Sequence, residues 1–237
     1  MAFGLKALNS ATGSTQIDET YYNLVLISKQ TVTTADNGFG QRVATFDVTS
    51  SDTPVVGFSC SSDFAYFDGV SKSGSTWTFR VGVIGGANRS ITIYVFGRAT
   101  TGASGYGIKV LNASSGLTFA GGNKYLKVAS VLAGKYGTPT IGPGDPGGAS
   151  YGNANLPGAT LTSGRAYCVL CSMTANYVWN EGSGQGYELF CMGVNIASNV
   201  LSSANLLHSS GYGSNYITTA HIDRREYNLI VCDVTNF

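Results

Sequence analysis

Any chemistry this chain performs must come from a small set of side chains. His208 and His221 are the two histidines, 13 residues apart, and neither stands near a glycine-flanked serine or cysteine of the nucleophile-elbow kind. That spacing argues against a histidine-based triad. Asp63 and Asp68 bracket the aromatic run Phe64-Ala-Tyr-Phe67, and Glu181 and Glu188 flank a glycine loop. Polysaccharide cleavage needs a closely set carboxylate pair, but acidic residues in loops of this composition ordinarily form turns. The turn role is the expectation. Cys168 and Cys171 make a C-x-x-C inside the apolar run Ala166 to Met173, with no second ligand pair, so free buried thiols are expected there rather than a metal or redox centre. The total of five cysteines is odd, and the N-terminus carries no positively charged stretch leading into an apolar one, which points the same way. The pairs Gly85-Gly86 and Gly121-Gly122 have no phosphate-loop lysine after them. The expectation is therefore no catalytic residue, no metal and no cofactor.

Recognition is the better use of the remaining polar surface. Tyr136, Tyr151, Asn153, Asn155, Tyr212, Asn215 and Tyr216 lie among glycine and serine. Rigid tyrosine rings supply contact area and small polar groups supply hydrogen bonds, and ring faces also suit sugars. These seven are the candidate binding residues; the competing role is that of loop tyrosines packing on their own fold. Tyr177 and Trp179 alternate on an expected strand, where packing is the expected role.

The elements that would position these residues show a repeat. Phe3 to Tyr22 overlays Tyr106 to Tyr125 without a gap, at a shift of 103, with seven identities in twenty positions. The match resumes at a shift of 111, where Cys60, Tyr66, Phe79 and Gly82 meet Cys171, Tyr177, Phe190 and Gly193. Near the ends, at a shift of 136, Arg89, Ile91 and Val95 meet Arg225, Tyr227 and Val231. The growing shift places insertions in the second copy, within 134–164 and 195–223. A period near one hundred residues is that of a domain. The expectation is an all-β chain of two tandem antiparallel β-sandwich domains related by duplication, each with its own core: 1–99, expected to dock, a linker at 100–105, and 106–237 with longer loops, expected to be displayed.

Composition supports β structure. Gly, Ser, Thr, Asn and Tyr are abundant and the helix formers are sparse. Phe3 to Leu8 and Thr15 to Ile17 read as a hairpin, followed by Tyr22 to Ile27, Arg42 to Val48, Val55 to Cys60, Phe64 to Phe67, Thr76 to Ile84 and Ser90 to Gly97. The second copy repeats the plan with Tyr106 to Leu111, Leu117 to Phe119, Tyr125 to Leu132, Ala166 to Met173, Tyr177 to Trp179, Tyr187 to Val194 and Tyr227 to Val234. Ser90 to Gly97 is apolar on both faces, which suggests one face on the core and the other against a neighbouring chain. Val200 to Leu207 spaces its apolar residues as one or two short helical turns would. The Gly/Pro-rich Gly137 to Gly148 disfavours helix and central strand alike.

Charge excludes some partners. Only 11% of residues are charged, the net charge is +1 and no basic run exists, so nucleic acid and anionic membranes are not expected partners. The longest apolar stretches, such as Leu24 to Ile27, fall far short of a bilayer span of about 20 residues.

The opening Tyr106-Gly-Ile-Lys-Val-Leu-Asn-Ala-Ser-Ser-Gly116, with Leu117-Thr-Phe119 and Tyr125-Leu-Lys-Val128, resembles the start of small tail proteins of tailed bacteriophages. Phe3-Gly-Leu-Lys-Ala-Leu-Asn9 is a weaker version. The resemblance implies a non-enzymatic virion component of a tail tip, baseplate or fibre, made in the bacterial cytoplasm without a signal peptide. Its implied partners are other phage tail proteins, further copies in a homo-oligomer or symmetric assembly, and a bacterial surface receptor, glycan or protein. The resemblance carries over no active site. Alternatives are a head fibre or capsid decoration protein, a carbohydrate-binding module and, last, a polysaccharide depolymerase using Asp63, Asp68, Glu181 and Glu188.

Overall fold

A computed structural model describes residues 6–8, 15–18, 23–38, 41–84, 87–99, 108–111, 114–115, 117–135, 154–155, 161–173, 176–180, 187–211, 223–224 and 226–237. The first half runs β1 (Lys6–Leu8), β2 (Thr15–Asp18), β3 (Leu24–Thr33), β4 (Ala35–Asp36), β5 (Gln41–Thr49), β6 (Val55–Ser59), β7 (Ala65–Ser73), β8 (Thr76–Ile84) and β9 (Ser90–Arg98). The second half runs β10 (Lys109–Leu111), β11 (Leu117–Ala120), β12 (Val128–Lys135), β13 (Ala154–Asn155), β14 (Tyr167–Met173), β15 (Asn176–Asn180), β16 (Tyr187–Ala197), β17 (Val200–Gly211), β18 (Asp223–Arg224) and β19 (Glu226–Asp233). Among the described residues there is no helix, and every strand pair is antiparallel. The all-β expectation holds.

The strands form two small hairpins, β1–β2 and β10–β11, and two large sheets. The six-stranded sheet has the order β12-β19-β14-β6-β9-β3, so three strands of the second half abut three of the first. At the junction Phe58 pairs with Val169 and Gly57 with Leu170. Phe58 and Val169 are separated by the same 111 residues as the sequence repeat, so corresponding positions of the two halves face each other across the joint. Gly57 makes room there: a Cβ would lie 2.7 Å from Leu170 Cδ2 and 2.8 Å from the Cys168 sulfur, so both side chains would have to shift.

The nine-stranded sheet runs β13-β17-β16-β7-β8-β5-β4, with β15 and β18 branching from β16. Its halves join more sparsely, through the single pair Val194 and Ala65.

Alternation explains the interior. On β9, Ile91, Ile93 and Val95 enter a cluster that also takes Phe46, Val81 and Met192 from the nine-stranded sheet and Val169, Leu229 and Val231 from the six-stranded one. The sequence reading expects one interior in each half, and the structure differs: this cluster lies between the two large sheets and draws on both halves. The physical reason is that β6 and β14, which separate sandwiches would leave as solvent-facing edges, pair with each other. Unpaired edges expose unsatisfied backbone groups. The segment expected as a linker, 100–105, lies outside the described residues.

The other face of β9 carries Tyr94 and Phe96, which join Cys168, Leu170, Cys232 and Val234 in a second cluster, with Leu24, Leu126 and Phe237 packed against it. The expectation of a neighbouring chain on this face is therefore corrected, because the chain covers it itself. The six-stranded sheet coils until diagonally opposite corners meet, at the start of β3 and just before β12. Leu26 N–H donates to Lys124 O (2.8 Å) and Leu126 N–H to Leu24 O (2.9 Å), with Val25 opposite Tyr125.

The stretch Val200 to Leu207, expected as helical turns, is instead part of β17, paired with β16 from Ala197–Val200 to Tyr187–Gly211. The turn between them is Ser198-Asn199, with φ of 50° and 62°. Two consecutive positive φ values make a type I′ turn, whose twist starts a hairpin and overrides the helix propensity of leucine and alanine.

Candidate functional site

Of the seven candidate binding residues, Tyr136, Tyr151, Asn153, Tyr212, Asn215 and Tyr216 lie outside the described residues. Asn155 ends β13, where it pairs with Ser202 of β17. The described part of the second insertion extends the sheet: β17 runs the whole length of β16, and His208 lies on it. His221, Glu181 and the Gly137 to Gly148 stretch lie outside the described residues, while Glu188 and Trp179 pair across β15 and β16.

The two aspartates of the aromatic run are built into ion pairs. Asp63 follows β6; its Oδ2 accepts from Arg89 Nε at 3.0 Å and its Oδ1 from Phe64 N–H at 2.8 Å. Asn195 of β16 clamps the same turn, its Nδ2 donating to Cys60 O (3.2 Å) and Asp63 O (2.8 Å). Asp68 is the extra residue of a β-bulge in β7, and its buried carboxylate meets half-exposed Arg80 of β8 at 2.6 Å.

Around Asp68 lies a group that sequence reading did not assemble. Tyr66 alternates with the inward-facing Ala65 and Phe67, and Cys191 with the inward-facing Met192, so both point to the face away from the shared interior. Both are nonetheless buried. Tyr66 lies over Gly82, where a Cβ would be 2.7 Å from the ring, so a side chain at Gly82 would displace it. Burial, then the charges of Cys191 and Asp68, raise the Tyr66 phenol, while Arg80 opposes the rise. Burial, followed by Asp68, pushes the Cys191 thiol up to about 12. At neutral pH the site thus holds a neutral thiol, a neutral phenol and one ion pair. A thiol is nucleophilic only as thiolate, and burial keeps Cys191 protonated here. Among the described residues no group of three or more His, Cys, Asp or Glu is set to hold a metal ion.

The most conspicuous surface is apolar and lies in the second half. Ile108 is 66% exposed, Leu111 52%, Val128 54% and Val131 60%. Ile108 and Leu111 belong to the β10–β11 hairpin, whose Val110 and Ala120 are buried. Tyr125 holds this hairpin in place: its ring stacks on Phe119 at 4.8 Å, and its hydroxyl accepts from Ala120 N–H and donates to Ala120 O. Val128 and Val131 stand on β12, the outer strand of the six-stranded sheet, whose only charged residue is Lys135. Natural edges are usually guarded by charge, proline or bulging; β12 has a register shift between Val128 and Ser130, but no proline and no charge before Lys135. A signal was present in the sequence, since Val128-Ala-Ser-Val-Leu-Ala-Gly134 is a strand without a charge.

Comparison of the chain with protein-family models, with curated proteins and with solved structures finds no match.

Proposed function

We propose that this chain is a non-enzymatic structural subunit of a bacteriophage tail, in the tip, baseplate or fibre, and that it buries the apolar hairpin and β12 edge of its second half against other tail subunits. The observation that carries this reading is the pairing of that exposed apolar surface with the Tyr106 to Val128 motif resembling phage tail proteins: the motif's own residues Ile108, Leu111 and Val128 are the exposed ones. Subunits of permanent assemblies carry such surface, whereas monomers avoid it. The ion-paired aspartates and the protonated Cys191 thiol favour a structural role over a hydrolytic one.

The halves are read as copies of one ancestral sandwich unit. The facing of Phe58 and Val169, and the matching bulges of the two hairpins at Ala7/Leu8 and Val110/Leu111, support that origin. The second copy's insertions, which carry six of the seven candidate tyrosines and asparagines beyond the described strands, are assigned to host attachment.

Cryo-electron microscopy of virions, with labelled antibody against this chain, tests the reading. Density in the tail is the expected result. Density on the capsid would replace it with the head-decoration alternative, and absence from virions would end it. Trimming Gly137 to Gly148, or the loop bearing Tyr212, should then leave virions intact and lower adsorption; unchanged adsorption with both trimmed removes the receptor role and leaves the architectural one.

A further inference from the structure

We propose that Cys168 and Cys232 are a modification site: in an oxidising medium they close into a strained, readily reversible disulfide across β14 and β19. The two residues are direct cross-strand partners, both are fully buried in the cluster around Phe96, and neither is in a disulfide. No other described pair of cysteines faces across a strand pair: Cys191 stands opposite Leu206 and Asn176, and Cys171 opposite Leu229.

The register fixes the geometry. Val234 N–H donates to Ala166 O at 2.9 Å, so 166 and 234 form a hydrogen-bonded pair, and two residues inward Cys168 and Cys232 are a pair of the same kind. Cα atoms in such a pair stand about 5.5 Å apart, within the span a disulfide accepts. The Cβ atoms, also about 5.5 Å apart, must approach to about 4 Å. That displacement stores strain, and strain makes the bond easier to reduce. The Cys168 sulfur now lies over Gly57 of β6, on the side of β14 away from β19, so closing the bond requires it to rotate about χ1 toward β19.

The oxidant is a low-molecular-weight disulfide. One cysteine thiolate attacks it and expels one thiolate; the second then attacks the protein-bound sulfur and expels the other. Two protein thiols are oxidised, the small disulfide is reduced to two thiols, and the protons pass to them. Because both sulfurs are buried, the first attack needs the end of β14–β19 to open, which makes oxidation slow. The corresponding positions of the first half, Gly57 and Phe96, carry no thiol, so the site belongs to the second half alone.

The test is to hold the full chain with oxidised glutathione at temperatures rising toward its melting point, then map it by mass spectrometry without reduction. A crosslinked Cys168–Cys232 peptide is expected, with titratable thiols falling from five to three and returning on brief treatment with dithiothreitol. Cys191→Ala should keep the crosslink and Cys168→Ser should lose it. Recovery of both cysteines free, as glutathione adducts, or bonded to another cysteine would overturn the proposal; the wild-type map decides even if a variant folds poorly.

Discussion

The two halves meet twice, and the two joints are built differently. In the six-stranded sheet, β6 and β14 occupy corresponding places in their halves and pair through Phe58 and Val169, with apolar clusters on both faces. In the nine-stranded sheet, β7 meets β16, which corresponds to β8 by the repeat rather than to β7, and the backbone contributes one pair. Polar side chains complete that joint: Asn195 on the Asp63 turn, and Asp68 with Arg80 beside Tyr66 and Cys191. Like strands can share a register and bury apolar rows on both sides. At the β7–β16 joint Asn195 supplies bonds that cross between the halves, while the Asp68–Arg80 pair lies beside it within the first half.

The largest expected effect comes from the β6–β14 joint. Phe58→Ala removes a ring that is 2% exposed and should cost about 3–5 kcal/mol in denaturant unfolding, against about 1–2 kcal/mol for Val194→Ala at the sparse joint. A reversed order would erase the distinction. Next is Gly57→Val, which drives a side chain into Leu170 and Cys168 and should lose about 1–3 kcal/mol by overpacking; an unchanged unfolding midpoint would mean the strands part without cost. At the polar joint, Arg80→Ala leaves the Asp68 carboxylate buried without its cation and should cost about 1–3 kcal/mol, with Asp68→Asn in the same chain recovering part of the loss. Additive losses in the double variant would show that the pair is not coupled.

The smallest effect sharpens the comparison by pH, at the end of β19. Burial raises the Asp233 carboxyl, but hydrogen bonds from the Thr235 hydroxyl and N–H, and then Arg165, outweigh it and hold the group below its ordinary value of 3.8. A carboxyl lowered in the folded state contributes stability that is complete above its unfolded value and is lost as pH falls through the folded one. Arg165 is half-exposed, so Arg165→Ala should cost under about 1 kcal/mol at pH 7. Melting curves of the two proteins should converge as pH falls from the ordinary value of 3.8 through the lowered folded one. A constant gap across that range would assign the loss to packing instead.

What the sequence made legible was local. β8 and β9 alternate so strictly that their extents, and the two-faced burial of β9, could be read directly. The bulged hairpins were visible as repeats of one another. β17 was misread because Leu201, Ala204 and Leu207 favour helix in isolation, although Ser198-Asn199 between Ala197 and Val200 is turn chemistry of the hairpin kind. The joints were not legible, because pairing between positions 111 residues apart leaves no trace in either segment alone. Gly57, a glycine amid the apolar Val55 to Phe58, was the nearest clue. The polar group around Asp68 stayed hidden for the same reason: its members come from three strands, and a bulge turns Asp68 toward Arg80.

The Phe58–Val169 register also sets a schedule for biosynthesis. When β6 leaves the ribosome, its partner is still 111 residues from being made, roughly 6 to 22 s at bacterial speeds of about 5–20 residues per second. Throughout that interval the nascent chain shows a bare apolar edge that any passing strand can capture, and the Val25–Tyr125 closure waits as well. Production of this protein should therefore depend on holding early chains apart, with slower initiation or a holdase raising soluble yield more than any gain in final stability.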